Sequence, residues 1–427
     1  MNAGARRVQR VYLVLLLLHT LAASFIWGIN TLFLLDAGLT NTQAFAANAF
    51  FTAGLVLFEV PTGVVADLRG RRLSYLLGTL TLAVSTLLYL LMWRVSAPFW
   101  AWALASALLG LGFTFFSGAV EAWLVDALTF SGYMRDGGTL EAVLAKGEIV
   151  EGIAMLGGSV AGGFIAQATN LGVPYIIRAV VLGLTFVCAF ALMRDVGFTP
   201  SHGKHPIEEM KSVLSGAIEY GLGNPPVRWV MLAAPFTGGV TIYAFYAMQP
   251  YLLELYGDER AYGVAGLAAA IVAGAQIAGG LLVPHIGRLF RRRTSVLLVG
   301  TVLSTVILAI IGLVPRFWVA VALLVLWGLI FSAVTPVRQA YVNGLIESRQ
   351  RATVLSFDSL LGSSGAVVIQ PVLGKVADVW SYPASYVCSA AIQALAVPFL
   401  WLARRERAAS EPIHDAGTDD DGSSVVR

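Results

Sequence analysis

Charged residues are scarce in this sequence of 427 residues. Lys, Arg, Asp and Glu make up 12% of the chain, whereas hydrophobic residues make up 57%. Soluble globular domains carry about 25% charged residues, so the composition excludes an ordinary soluble fold and indicates a protein that crosses a membrane several times. The formal net charge of +3 provides no strongly basic surface, and no nucleic-acid partner is expected.

Cysteine and histidine are also rare, which limits the possible chemistry. Cys188 and Cys388 lie in separate apolar runs, so they indicate neither a disulfide framework nor a metal site. Three of the five histidines, His202, His205 and His414, lie in polar segments. The sequence has no Gly-x-Ser-x-Gly motif and no Walker loop, so neither an enzyme nor an ATP-driven pump is expected, and no metal or cofactor is predicted.

Long hydrophobic runs, by contrast, recur along the chain. A helix that spans the bilayer needs about 20 predominantly apolar residues. Twelve such runs lie near residues 11–35, 43–66, 73–93, 98–130, 146–168, 173–193, 227–255, 263–284, 294–313, 317–346, 352–378 and 385–403. They predict an all-α membrane protein with one six-helix bundle in residues 1–193, a linker at 194–226, a second bundle in 227–403 and a disordered tail at 404–427.

The distribution of arginine and lysine predicts the orientation of these spans. One set of alternate loops carries most of the basic residues. The opposite loops have only Arg94, Arg260 and Arg316. Because basic loops stay in the cytoplasm, both termini and the linker are predicted to be cytoplasmic. The first apolar run is too long for a signal-peptide core, which indicates an uncleaved first span.

A short basic turn joins the second and third spans in the segment FEVPTGVVADLRGRR, residues 58–72. Gly63, Asp67, Gly70, Arg71 and Arg72 match the pattern G-x-x-x-D-x-x-G-R-[RK] at every fixed position. This segment resembles the signature loop of major facilitator superfamily transporters. The resemblance implies a fold of two pseudo-symmetric six-helix bundles, with a substrate site between them near the middle of the membrane.

A partial repeat of the same motif occurs in the second half of the chain. A single offset places Gly63 on Gly280 and Gly70 on Gly287, whereas Asp67 falls on Pro284. This similarity predicts an internal repeat whose acidic residues are confined to the first half.

The resemblance also implies a gating role for the motif. We expect Arg71 to form an ion pair with Asp126, near the cytoplasmic end of the fourth span. We expect Asp67 to cap the N-terminus of the eleventh span near Thr353, where the helix dipole favours an anion. Gly63 is expected to let another helix approach closely. These contacts would hold the bundles together when the cytoplasmic side is closed; the alternative is a packing clasp that does not switch.

Carboxylates within spans are costly, so they are candidates for function. Glu121 shares a helical stripe with Thr114 and Ser117, and it is the first candidate for proton coupling because partial burial favours the protonated form. Glu59 is the second candidate. The alternative for Glu121 is a structural ion pair with Arg338, which would prevent it from carrying protons.

Structural roles are predicted for the remaining charged or titratable residues within the spans. Glu148 and Glu151 stand at the start of the fifth predicted span, where acids stabilise the helix dipole. Asp358 is interpreted in the same way. His19 is interpreted as a packing residue, and Arg178 has no evident partner in the sequence.

A substrate site follows from the resemblance, which implies that the first, fourth, seventh and tenth spans line a central cavity. The polar and aromatic residues predicted to bind substrate are Trp27, Asn30, Tyr243, Tyr246, Gln249, Arg338 and Gln339. Such a lining suits amphipathic, partly aromatic small molecules.

These patterns predict a secondary transporter, and proton-coupled efflux of amphipathic compounds is the leading hypothesis. The alternatives are a proton symporter or facilitator for a sugar, amino acid or organic anion and, remotely, a membrane-embedded enzyme or receptor. The glycine pattern of drug–proton antiporters is incomplete, because Ala154 and Ser159 replace a glycine and a proline. The protein is expected to be a monomer in the inner (plasma) membrane of a bacterium, with protons and the lipid bilayer as its other partners.

Overall fold

The structure is a computed structural model, and the residues it describes include twelve helices long and apolar enough to cross a membrane. It describes residues 3–116, 118–135, 137–200, 215, 217–283, 285, 289–347 and 350–413, except the side chains of residues 217, 352 and 353. The all-α fold and the number of spans are therefore confirmed. The division into bundles at residues 193 and 227 stays a prediction.

The spans are numbered α1 to α12, with letters for the parts of an interrupted span. The first six comprise α1a (Ala3–Trp27), α1b (Asn30–Asp36), α2 (Asn41–Arg69), α3 (Arg71–Val95), α4a (Phe99–Thr114), α4b (Ala119–Phe130), α5 (Leu140–Ala168) and α6 (Gly172–Leu192). The others comprise α7 (Pro225–Tyr256), α8 (Tyr262–Leu281), α9 (Arg293–Leu313), α10 (Phe317–Asn343), α11 (Arg351–Val379), α12a (Tyr382–Ala394) and α12b (Ala396–Arg405).

Several predicted boundaries were wrong, and two of these errors affect the functional site. The fourth span is interrupted between Thr114 and Ala119, so Glu121 lies in the first turn of α4b instead of the middle of a long helix. The fifth span begins at Leu140, and Glu148 and Glu151 therefore lie in its third and fourth turns instead of at its N-terminus.

Four hydrophobic cores form among the described residues, and two of them lie each within one part of the chain. Buried side chains between Ala5 and Met193 pack α1a against α3, α4 and α6. Buried side chains between Val227 and Ala403 pack α7 against α9, α10, α11 and α12b. We call the side on which α1a begins and α12b ends the terminal side, and the opposite side the far side.

The two parts of the chain are joined at the far side. The Asp378 carboxylate at the end of α11 accepts hydrogen bonds from the Asn41 and Thr42 backbone N–H groups, both 2.8 Å, and from the Thr42 hydroxyl at 2.5 Å. Gln167 at the end of α5 accepts a bond from the Gly263 N–H at 2.9 Å. Because Asp378 is an anion at the N-terminus of the 29-residue α2, the helix dipole reinforces the junction.

The predicted disorder of residues 404–427 is wrong for the part described. Residues 404 and 405 end α12b, and residues 406–413 lie against α7, α9 and α10. Ser410 donates to the Tyr341 carbonyl at 2.9 Å, and Thr294 donates to the Glu411 carboxylate. Both Ser410 and Glu411 are buried, because the segment covers the start of α9. Residues 414–427 lie outside the described part of the chain.

Candidate functional site

A cavity of 1140 Å³ lies among the terminal-side halves of six spans. Its lining comes mainly from α1a, α2, α4, α5 and α11. α2 and α11 meet at the far side, and the residues by which both line the cavity lie nearer the terminal side. Because Glu59, Glu121 and Glu148 in this lining are exposed, the cavity opens to solvent toward the side of the chain termini.

Four glutamates line the cavity: Glu59, Glu121, Glu148 and Glu151. Glu121 and Glu148 lie close enough to Glu151 to repel its negative charge, and all three lie near the Tyr12 hydroxyl. The described lining residues include no lysine or arginine. The cavity is therefore strongly acidic. Among the described residues, no group of three or more His, Cys, Asp or Glu is arranged to hold a metal ion.

The other cavity walls are hydroxylic and aromatic. Ser356, Ser359 and Ser363 follow helical spacing along α11 and face the cavity. His19 also lines it, and its ring lies 4.1 Å from the Phe116 ring between centroids. The His19 Nδ1 atom has no hydrogen-bond partner among the described residues. Charged, hydroxylic and aromatic surfaces together suit an amphipathic cation.

The predicted proton-coupling residues Glu59 and Glu121 both line the cavity. The α4 interruption places Glu121 in the first turn of α4b. Glu121 does not pair with Arg338, so that alternative was wrong. The two Arg338 Nη atoms donate to the two Asp358 carboxylate oxygens, each at 2.6 Å.

The seven residues predicted to bind substrate lie outside the described cavity lining. Gln249 is fully buried and joins two parts of the chain, because it accepts from the Thr31 N–H and donates to the Trp27 carbonyl, each at 2.9 Å. Trp27 stacks on Phe245 with ring centroids 4.4 Å apart. These residues thus stabilise the interruption between α1a and α1b.

Packing also accounts for most of the others in this set. Asn30 donates to Asn48 at 3.0 Å and accepts from Tyr175 at 2.9 Å. Tyr243 is fully buried and donates to Ser385 at 2.7 Å. Of the remaining members, Tyr246 is half-buried and packs beside Phe245. Arg338 forms the ion pair with Asp358, and Gln339 is exposed.

The sequence reasoning missed Glu148 and Glu151 as cavity residues. It placed them one turn apart at the start of the fifth span, where an acid has an adequate structural role. The true helix begins at Leu140, and in the middle of an apolar helix the same pair demands a hydrated or functional environment. A helix start placed one turn and a half earlier would have revealed them.

The motif loop adopts a different arrangement from the one expected. Arg71 pairs with Asp67, with Nη1 and Oδ1 2.5 Å apart, and the predicted Arg71–Asp126 ion pair was wrong for this conformation. The Asp195 carboxylate, just after α6, accepts from the Arg72 N–H at 2.9 Å. Arg72 also donates to the Phe190 carbonyl at 2.6 Å. The loop is therefore fixed to the end of α6, and Asp126 is left as a nearby charge without an ion pair in the described structure.

Two motif glycines have different environments. Gly70 is the single residue between α2 and α3, and its φ is 103°. A side chain at this position would place its Cβ atom against the Asp195 carboxylate. A Cβ on Gly63 would meet nothing within 4 Å, so the expected close approach of another helix is absent in this conformation. The predicted cap by Asp67 near Thr353 falls on a side chain outside the described residues.

Arg178 of α6 is only 2% exposed. Its Nε atom donates to the Thr86 hydroxyl at 3.0 Å, and Nη1 donates to the Ala22 carbonyl at 3.4 Å. Within the described residues the ion pairs are Arg71–Asp67 and Arg338–Asp358, so this guanidinium is held by neutral groups. Arg178 thereby fastens α6 to α1a and α3.

The sequence matches the family model described as Major Facilitator Superfamily over residues 12–294 and 260–420. The chain belongs to the major facilitator superfamily. Its fold and family are those of transporters of small molecules and not those of enzymes. The sequence matches none of the curated proteins with which it was compared.

Solved structures share this fold at low sequence identity. The nucleoside transporter NupG is 12% identical, with a TM-score of 0.72, covering 94% of this chain and 99% of that chain. A bacterial homologue of the human lysosomal transporter Spinster, in an inward-facing and occupied conformation, is 15% identical with a TM-score of 0.69, covering 95% and 98%. A POT family transporter in complex with a thioalcohol-conjugated peptide is 13% identical with a TM-score of 0.67, covering 93% and 96%.

Proposed function

We propose that the protein exports amphipathic organic cations in exchange for protons by alternating access. The observation that carries this proposal is a cavity lined by four glutamates without a lining lysine or arginine. Substrate would bind while a carboxylate, with Glu121 as the first candidate and Glu59 as the second, releases its proton to cavity water. Because the cation and the released proton carry the same charge, the charge of the cavity is conserved for a monovalent substrate.

The positions of the charged groups support a cycle between two conformations. With both termini in the cytoplasm of a bacterial cell, as the arginine distribution predicts, the present structure is open to the cytoplasm. The far side is held by Asp378 at the N-terminus of α2. In the opposite conformation Asp67 would leave Arg71 and cap α11, and the open space beside Gly63 would accept the approaching helix.

The aromatic and hydroxylic walls support an amphipathic substrate. Tyr12, Tyr75 and Phe357 supply ring surfaces for the apolar part, and Ser356 and Ser359 supply adaptable hydrogen-bonding groups. The monomer already contains both walls of the cavity, so no second copy is required.

The competing proposal is a proton symporter or facilitator for a sugar, amino acid or organic anion. Binding measurements on the purified protein separate the two. We expect tetraphenylphosphonium to bind with release of about one proton, measured by calorimetry in buffers of different ionisation enthalpy. Affinity should fall as pH is lowered, because protonated glutamates no longer attract the cation.

Glu121→Gln is the test variant, and Glu141→Gln is its matched control because Glu141 is in the first turn of α5 and outside the cavity lining. We expect the Glu121 variant to bind without proton release and the control to behave as the unmodified protein. The proposal would be overturned if both variants bound the cation equally well at low and high pH. Preferential binding of a neutral sugar or an organic anion would also overturn it.

A further inference from the structure

A second cavity, of 530 Å³, lies at the terminal side, away from the acidic one. It is formed between the first turns of α1a and the end of α6. Its lining residues are Ala3, Arg6, Arg7, Arg10, Val11, Val14 and Leu192. Three arginines and four apolar residues therefore line this cavity.

The three arginines have no role in the folded chain that the described contacts reveal. Arg6, Arg7 and Arg10 are exposed, and the ion pairs of the described residues involve other arginines. The N-terminus of α1a, a helix of 25 residues, adds the partial positive charge of its helix dipole at this point. The pocket thus concentrates positive charge without a counterion from the described protein.

The length of α1a places this charge at the depth of lipid headgroups. At about 1.5 Å per residue its 25 residues extend about 37 Å, which exceeds the hydrocarbon thickness of about 30 Å. Arg6 and Arg7 lie in the second turn and Arg10 lies in the third, at the end of the helix on the terminal side. Val14, one turn beyond Arg10, and Leu192, at the end of α6, are 39% and 38% exposed and so present apolar surface beside the arginines.

We infer that this pocket binds an anionic phospholipid of the leaflet on the terminal side. The planar guanidinium groups of Arg6, Arg7 and Arg10 suit the phosphate oxygens, with which arginine forms paired charge-assisted hydrogen bonds. Val11, Val14 and Leu192 would contact the first carbons of an acyl chain. A free phosphate ion lacks that apolar contact, and this difference favours lipid as the occupant.

Native mass spectrometry of the full chain in detergent tests the inference with dioleoylphosphatidylglycerol as the probe. Dioleoylphosphatidylcholine tests the charge requirement, and inorganic phosphate tests whether the headgroup chemistry alone suffices. The test variant carries Arg6→Gln, Arg7→Gln and Arg10→Gln. The matched control carries Arg404→Gln, Arg405→Gln and Arg407→Gln, which remove the same charge from the same side of the membrane.

We expect one phosphatidylglycerol to bind tightly, the test variant to bind it at least about tenfold more weakly, and the control to stay within about twofold. Lysine at all three positions should preserve affinity within about threefold, since the charge is retained; this variant also guards against a folding defect. The inference would be overturned if the test and control variants lost lipid affinity equally, or if phosphatidylcholine bound as tightly as phosphatidylglycerol. Displacement of the lipid by millimolar phosphate would also overturn it.

Discussion

At the scale of single residues, the environment of a carboxylate decides its role more than its position in the sequence does. Glu121 and Glu59 were identified because an acid within an apolar run is costly. Glu148 and Glu151 were not identified in the same way, because their helix was predicted to begin too late in the sequence. Gln249 and Tyr243 have the polar character of a binding site, yet they are fully buried and bonded to neighbouring spans.

Glu411, outside the spans, gives a pH-dependent prediction. Burial raises the pKa of this carboxyl above the ordinary value, outweighing the Thr294 hydroxyl and the guanidinium groups of Arg292, Arg404 and Arg293, which lower it. The docked segment therefore holds the proton more tightly than the free segment does. Its docking is most stable below the ordinary pKa and loses stability as pH rises through the raised pKa.

Hydrogen–deuterium exchange of residues 406–413, corrected for the intrinsic pH dependence of exchange, measures this docking. We expect protection to fall with rising pH in the unmodified protein. Glu411→Gln should give protection that no longer depends on pH, since glutamine stays neutral. A pH dependence that persists in this variant would assign the effect to another group.

At the scale of elements, the sequence predicted that the twelve spans exist, but it did not predict where they break. Apolar runs report the thickness of the membrane and hence the number of helices. The interruption after Trp27, for example, is held by tertiary contacts, the two hydrogen bonds of Gln249. Residues 406–413 were misjudged for the same reason: a polar composition does not reveal a docking site on another helix.

The α2–α3 turn permits a paired test with two glycines. Gly70→Ala should lower stability by roughly 1–3 kcal/mol, because φ of 103° is strained for alanine and its Cβ would contact Asp195. Gly63→Ala should leave stability unchanged within about 0.5 kcal/mol or raise it, since its Cβ meets open space. Thermal unfolding in detergent measures both. Equal destabilisation by the two substitutions would contradict the described geometry of the turn.

The junction of α2 and α11 gives a prediction about the far side. Asp378→Asn removes the negative charge that accepts three hydrogen bonds from the start of α2, so the far side should open more often. Spin labels at Val95 and Trp380, on the far ends of α3 and α11, should report a larger population at long distance. Asp258→Asn is the control, because Asp258 bonds within its own loop to the Arg260 N–H.

At the scale of the whole molecule, the family and the fold could be predicted, but the cavity lining could not. Composition, the spacing of the motif and the basic loops are properties of the sequence in any conformation. The residues that line the cavity depend on which side of the molecule is open. In this conformation the predicted residues of α1, α7 and α10 lie outside the described lining, which other residues of α1a, α2, α4, α5 and α11 form instead.

The central claim is that the acidic cavity exchanges organic cations for protons, and transport by inverted membrane vesicles tests it most directly. A proton gradient is established and followed with a pH-sensitive dye, and tetraphenylphosphonium, a neutral sugar, an amino acid and an organic anion are added in turn. Glu121→Gln and Glu141→Gln serve as the variant and its control.

The account predicts that only the cation dissipates the gradient, that Glu121→Gln abolishes the response, and that Glu141→Gln preserves it. A response to the sugar, the amino acid or the anion but not to the cation would contradict it. So would a response to the cation that survives in the Glu121 variant, because proton exchange would then depend on another group.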